Sequence, residues 1–247
     1  MRFFNKFVLL LGYLVLFLLI YFSYKTFFDK KPSHHHSDSN EKLESRNESQ
    51  EITFNLETGK GNEVGFVYET FLSPHQEGGE EEDMPFFIPK AFHSTLPSVS
   101  RNNRKSKGHS LLSFSKDLSK ATLYLSIQNV DIQTINMLHI HCGRPGQLGP
   151  ILVDISLIGN LQEYLSDSIL KLEIRNEDIV ATSNHGQGLV SLFTAGCPIM
   201  LPLFFDKVKT IAGMEYIAKQ GDLYLNLHTK AQTFYGDIRG QYQAKTK

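Results

Sequence analysis

The sequence predicts an all-β domain placed behind one apolar N-terminal helix, and three observations carry that expectation. Leu223, Leu225 and Leu227 alternate with Tyr224, Asn226 and His228, and Leu123, Leu125 and Ile127 recur at the same period of two, which gives a strand two different faces. Gly143, Gly146 and Gly149 recur every three residues with Pro145 and Pro150 beside them, between the apolar stretches Leu138–Ile140 and Ile151–Ile155. That arrangement reads as strand, turn, strand. Eighteen Phe and ten Tyr with no Trp suit a β-rich core. The 247 residues suffice for one domain with tails or two small ones, and a net charge of −1 offers no basic stripe for nucleic acid.

Residues 1–6 form a short tail with Arg2 and Lys6. Phe7–Tyr24 is free of charge. As a helix it would run roughly 27 Å at about 1.5 Å per residue, close to the thickness of a bilayer's hydrocarbon core. Tyr21 and Tyr24 suit the interface and Lys25 can snorkel, so residues 7–28 read as a signal-anchor that spans once and is retained. A cleaved signal peptide is the competing reading. The run is long for an h-region, and no pair of small residues follows it. Residues 29–50 are polar, with His34-His35-His36 and alternating charges, and read as a disordered stalk. Asn47-Glu48-Ser49 is the one glycosylation sequon, usable only on a lumenal side.

The β-domain is expected over 51–247. Ile52–Leu56 and Val64–Leu72 read as its first strands. The acidic Glu80-Glu81-Glu82-Asp83 and the basic stretch Asn102–Lys107 read as solvated loop tips of opposite sign. Leu111–Phe114 and Ala121–Val130 are further strands. From Ile158 to Tyr216 the pattern is weaker. Turn signals at Asn176-Glu177-Asp178 and Asn184–Gly188 surround Ile179–Thr182 and Leu189–Phe193, Met200–Phe205 is an apolar run, and Ile211–Lys219 reads as a short helix closed by Gly221, so the region as a whole reads as an insertion-bearing loop region.

The pairing of His-Ile-His-x-Gly-x-x-Gly-x-x-Gly-Pro (His139, His141, Gly143, Gly146, Gly149, Pro150) with a downstream Tyr224, Asn226, His228, Thr229 and then Gly236, Asp237, Ile238, Arg239, Gly240 resembles the CHRD domain, the repeat of the extracellular protein chordin. The resemblance runs from about Thr122 to Gln243. Asp237 stands where the family usually has Glu, and Tyr235-Gly236 where it commonly has Pro-Gly. The resemblance implies an immunoglobulin-like sandwich or barrel on the extracytoplasmic side of the membrane, and no enzyme activity. It leads to the expectation of a membrane-anchored binding or structural module. Such a module would act without a cofactor through an unidentified protein partner or a second copy of itself.

His139 and His141 lie two apart on a strand, so both imidazoles leave one face, and His228 could join them. Two readings follow. In the first, these histidines and Asn226 hydrogen-bond loop backbone, Asp237 or Arg239 and pin the motif strands together. In the second they hold copper or zinc in a redox enzyme. The absence of a carboxylate at close ligand spacing favours the first. Hydrolase and nucleotide-binding patterns are absent. Cys142 and Cys197 each sit at a turn signal. A disulfide between them would close a loop of roughly 55 residues. Two separately buried thiols are the alternative, which so low a cysteine count favours.

Overall fold

The computed structural model describes residues 62–185, 195–200 and 205–245. The anchor, the stalk, the Asn47 sequon, the strand expected at Ile52–Leu56 and the segment Leu189–Phe193 lie outside them. Among the described residues no helix is long and apolar enough to cross a membrane.

The domain is mostly β. Strands β1 (Val64–Leu72), β2 (Lys107–Ser115), β3 (Ala121–Gln128), β4 (Ile135–Cys142), β5 (Ile151–Asp154) and β6 (Ile169–Ile174) come first, then helix α1 (Leu161–Tyr164) before β6 and α2 (Asn176–Asn184) after it. A small hairpin, β7 (Pro198–Met200) with β8 (Phe205–Lys207), precedes helix α3 (Ile211–Lys219). The chain ends with β9 (Leu223–Thr229), β10 (Ile238–Gln241) and β11 (Gln243–Ala244). The larger sheet has the order β11-β1-β2-β3-β6 and the smaller β10-β9-β4-β5. The two are sandwich-like, and they join at one corner. There Ser73 and Arg239 exchange backbone hydrogen bonds of 3.0 and 3.2 Å, and the chain passes from β10 in one sheet to β11 in the other.

The core lies between the sheets. Leu112 and Phe114 of β2, Leu123 and Leu125 of β3, and Leu170, Leu172 and Ile174 of β6 meet Leu138 and Ile140 of β4, Leu223, Leu225 and Leu227 of β9, and Ile238 of β10. Each such burial contributes about 1.5–3 kcal/mol. Ile135 and Leu138 are both in this core although they are three residues apart, which strict alternation forbids. A register shift between Ile135 and Met137 against β9 inserts the extra residue that turns both inward.

Two expectations are corrected. The stretch expected as a loop region carries regular elements: Ile179–Thr182 belongs to α2, where Ile179 and Thr182 share the buried side and the Asp178 carboxylate accepts from the Arg175 amide, 2.8 Å, at the helix start. The acidic and basic stretches are solvated only in part: Glu82, Asp83, Asn102, Asn103 and Lys105 are exposed, but Glu80, Glu81 and Arg104 are not. Residues 73–106 cross the outer face of the smaller sheet, and the opposite charges meet there. Glu80 pairs with Arg101 and Arg104, both at 3.0 Å, and the Arg104 side chain is 5% exposed. Burial acts to raise the Glu80 carboxyl, but hydrogen bonds from Arg101 and the charges of Arg104 and Arg101 outweigh it and hold it below the usual range. Glu81 accepts from the backbone amides of Phe234 and Tyr235, both at 2.9 Å, and from Ser94 Oγ at 2.8 Å. These carboxylates are the fasteners of a cover.

Cys142, at the end of β4, is bonded to Cys197, with Cα atoms 6.1 Å apart and a sequence separation of 55. The reading as two separate thiols is therefore corrected: the turn after β4 and the Ala195–Cys197 turn are adjacent, because Gly196 donates its amide to Ile151 of β5 at 2.7 Å.

Two predictions follow from these contacts. Replacing both cysteines by serine lowers unfolding free energy in denaturant titration by about 4 kcal/mol in the chain-entropy account. Arg104→Ala removes one partner of a buried pair and the donor to the Gly236 and Asp237 carbonyls. It should cost about 3 kcal/mol, and hydrogen exchange should rise first in residues 73–106.

Candidate functional site

The outer face of the smaller sheet carries the polar alternates, and it is buried rather than a rim. His139, His141, Asn226, His228 and Arg239 are each less than 9% exposed. The pairing of β4 with β9 sets His139 opposite Asn226, His141 opposite Tyr224 and Met137 opposite His228. The three imidazoles therefore converge, with ring centroids 5.2 Å (His139–His228), 5.3 Å (His139–His141) and 6.3 Å (His141–His228) apart. One ring nitrogen from each lies within 4.8 Å of the others.

Two of the rings use one nitrogen to hold themselves and leave the other free. His141 Nδ1 donates to the Gly149 carbonyl at 2.9 Å, and His228 Nδ1 donates to the Thr233 carbonyl at 3.0 Å. A carbonyl only accepts, so the proton sits on Nδ1 and the lone pair on Nε2 in both. His139 Nε2 faces Asp154 Oδ1 from 3.6 Å, beyond hydrogen-bond reach. His139 Nδ1, His141 Nε2 and His228 Nε2 are all buried without a hydrogen-bond partner. Burial depresses the basicity of all three, with neighbouring histidines adding to the effect at His139 and His141. His139 falls well below its ordinary value, His141 to about 3 and His228 to about 4. Three neutral imidazoles with free lone pairs form a donor set for a borderline transition metal. Ligands around tetrahedral zinc stand roughly 3.4 Å apart given Zn–N bonds of about 2.0–2.1 Å, so the rings would close by about 1 Å on an ion.

The remaining motif residues build the frame. Gly143, Gly146, Gly149 and Pro150 form the β4–β5 turn. A Cβ on Gly149 would sit 1.7 Å from the Cys142 carbonyl oxygen, so only glycine lets the turn close and present its carbonyl to His141. Gly236, at φ +109°, lies against Asn226, where a Cβ would be 2.2 Å from Oδ1. Asn226 in turn donates to the Tyr235 carbonyl at 2.8 Å. Arg239 of β10 donates to the carbonyls of Gln147 (2.7 Å) and Arg144 (2.9 Å), and its guanidinium carbon lies 3.5 Å from the centre of the Tyr224 ring. Tyr224 stacks on His141 at 4.8 Å, and its hydroxyl accepts from the Gly149 amide at 3.0 Å. Gly240 lies beside Arg239 in β10, and Thr229 ends β9. Asp237 and Arg239 do not pair with each other. The Asp237 carboxylate faces Arg104 at 3.7 Å. The histidines thus hydrogen-bond loop backbone, as the pinning reading requires, but neither Asp237 nor Arg239.

Sequence reasoning missed Asp154 and the cover. Asp154 was within reach of counting, because a hairpin folded about Gly146-Gln147 places it opposite His139, where the register has it. Its backbone amide donates to Thr182 Oγ1 of α2 at 2.9 Å. Beneath the cover, the triad borders a cavity of about 660 Å³ with Ile88, Phe92, Met137, Leu148 and Phe234 in its wall.

Comparison with known proteins gives one family, the CHRD domain, matched over residues 92–242, which is more than half of the 247-residue chain. The match begins within the cover, some thirty residues before the motif-bearing region at Thr122. No curated protein and no solved structure matches the chain.

The depressed basicities set a pH dependence. An unfolded histidine titrates near 6.5, so below about pH 6.5 the unfolded chain takes up protons that the folded triad refuses. Stability of the metal-free protein is full above pH 6.5 and falls as pH drops toward 4, by up to about 1.4 kcal/mol per pH unit per histidine. Denaturant titrations between pH 7 and pH 5 should show this loss, and His141→Gln should reduce its slope.

Proposed function

The chain belongs to the CHRD domain family, and we propose that its β-domain is a binding module that holds one transition-metal ion on the outer side of a membrane. The observation that carries the metal is the set of three buried, partnerless ring nitrogens of His139, His141 and His228. Pinning of strands accounts for the nitrogens bonded to Gly149 and Thr233 but leaves the other three without a purpose. Leaving a buried polar atom unpaired costs about 1–3 kcal/mol each. An ion in the cavity would give all three nitrogens a partner at once. The donor set is all imidazole and has no thiolate, which suits Zn²⁺ or Cu²⁺. The carbonyls of Gly149 and Thr233 orient two of the rings from behind, as outer partners of metal-ligating histidines do.

Membership of the family supports a binding or structural role, exercised on a protein partner or a second copy. The apolar run Phe7–Tyr24 supports a single membrane anchor. The Cys142–Cys197 bond supports an oxidising, extracytoplasmic setting for the domain. A metal-dependent redox enzyme built on the same histidines is the second reading, and the cavity beside the triad favours it. Superoxide or peroxide consumption by the copper-loaded chain would separate it from a module that only binds.

The full chain, purified in detergent and offered Zn²⁺ or Cu²⁺, should hold about one ion per molecule by elemental analysis. His141→Ala and His228→Ala should each weaken binding at least a hundredfold by calorimetry while circular dichroism keeps its β signature. A chain that holds no ion at micromolar free metal, or variants that bind as tightly as the parent, would end the metal reading.

A further inference from the structure

The triad opens onto a cavity whose chemistry selects what could join an ion there. The three ring nitrogens are neutral donors, so a divalent ion on them would keep its full charge in a buried place. A buried charge without a partner is costly, and an anion in the next coordination position offsets it. The nearest carboxylate, Asp154, does not take that position. It faces Nε2 of His139, the side of the ring away from the free Nδ1, and it also accepts from the Ser156 amide at 2.9 Å. The next position is therefore left to water or to an anion from outside.

The walls say what kind of anion. Around the histidines the cavity of about 660 Å³ is walled chiefly by apolar side chains, among them Ile88, Phe92, Met137 and Phe234. Asp154, Thr182, His185 and Thr233 are also in its lining, and the Thr182 and Thr233 hydroxyls already donate to the Asp178 and Thr229 carbonyls. That volume lies within the range of roughly 300–1,000 Å³ typical of small-molecule sites. Arg104 and Arg239, the buried cations nearest the motif, are committed elsewhere, to Glu80 and backbone carbonyls. They are not in the cavity wall. A strongly hydrated inorganic anion would find no hydrogen-bonding cage there, whereas a carboxylate with a hydrocarbon or aromatic body would place its acid group at the ion and its body against the wall.

Resting on the metal reading, we propose that the site is a receptor for a small organic acid with an apolar body, bound head-first to the metal held by His139, His141 and His228. Specificity then lies in the cover, in Ile88 and Phe92, rather than in the sheet that carries the ligands.

The test uses the full chain loaded with Co²⁺, whose visible absorption reports its coordination. Three probes are titrated: phenylacetate, acetate with the same acid group but no body, and 2-phenylethanol with the same body but no acid. Phenylacetate should change the cobalt spectrum and bind at least tenfold more tightly than acetate, while 2-phenylethanol leaves the spectrum unaltered. Phe92→Ala, which truncates a half-buried side chain of the cover, should weaken phenylacetate severalfold and leave acetate as it was. Equal affinity for phenylacetate and acetate, or a cobalt spectrum that none of the probes moves, overturns the proposal while the metal reading stands. Failure of the chain to take up Co²⁺, Zn²⁺ or Cu²⁺ at all overturns the metal reading, and this proposal with it.

Discussion

The register of β4 against β9 is the constraint on which the rest of the structure depends. It is fixed by apolar side chains on the core side, where Leu138, Ile140, Leu225 and Leu227 are fully buried. Because side chains alternate, a slip of one residue would move every leucine out and every histidine in. The same register that builds the core therefore also delivers His139, His141 and His228 to one point on the opposite face. The bulge at Asn136–Met137 allows this to coexist with a buried Ile135 at the start of β4. Core packing and site geometry are one decision made twice.

A sheet buried on both faces creates a second demand. Its outer face carries His, Asn and Arg, and these need partners once water is gone. The turn glycines answer by bringing main-chain carbonyls close. Gly149 presents one to His141, and the turn around Arg144–Gln147 presents two to Arg239. Tyr224 lies between Arg239 and His141 and touches both rings' planes, so the orientation of one ligand is transmitted across three strands. Motif residues far apart in sequence are thus tied by geometry and not by direct ion pairs. Glu77 shows the strain of the arrangement: burial pushes its carboxyl well above the usual range, against the pull of Arg239 and Arg104, and it leans on Asn226 at 3.5 Å.

Strands with apolar alternation were legible in the sequence, and β1, β3, β4, β9 and β10 lie where their patterns put them. So did α3, whose start is capped by Thr210 accepting from the Gly213 amide. The strand β6 was equally regular, Ile169–Ile174 with every second residue buried, but it stands in a stretch crowded with turn signals that obscured it. The α2 helix was not legible because Ile179, Val180 and Thr182 are β-branched and turn signals flank them, while the helix is held by a capping carboxylate and by packing of Ile179 and Thr182. The cover was illegible for a deeper reason. A Glu-rich run normally marks solvent, and only the fold reveals that Glu80 and Glu81 face cations and amides supplied from residues 101, 104, 234 and 235. The convergence of three histidines could be suspected from spacing. Their free nitrogens could not, because tautomers are set by carbonyls that only the folded turns bring near.

The cover leaves the larger sheet after β1 and returns to it at β2, although β1 and β2 are hydrogen-bonded neighbours. The sandwich can therefore close before the cover is laid down, with the histidine face still wet. The order has a kinetic meaning. Whatever the buried face binds would enter most easily before residues 73–106 close over it. The carboxylate fasteners then help to set how long it stays, through a local opening equilibrium.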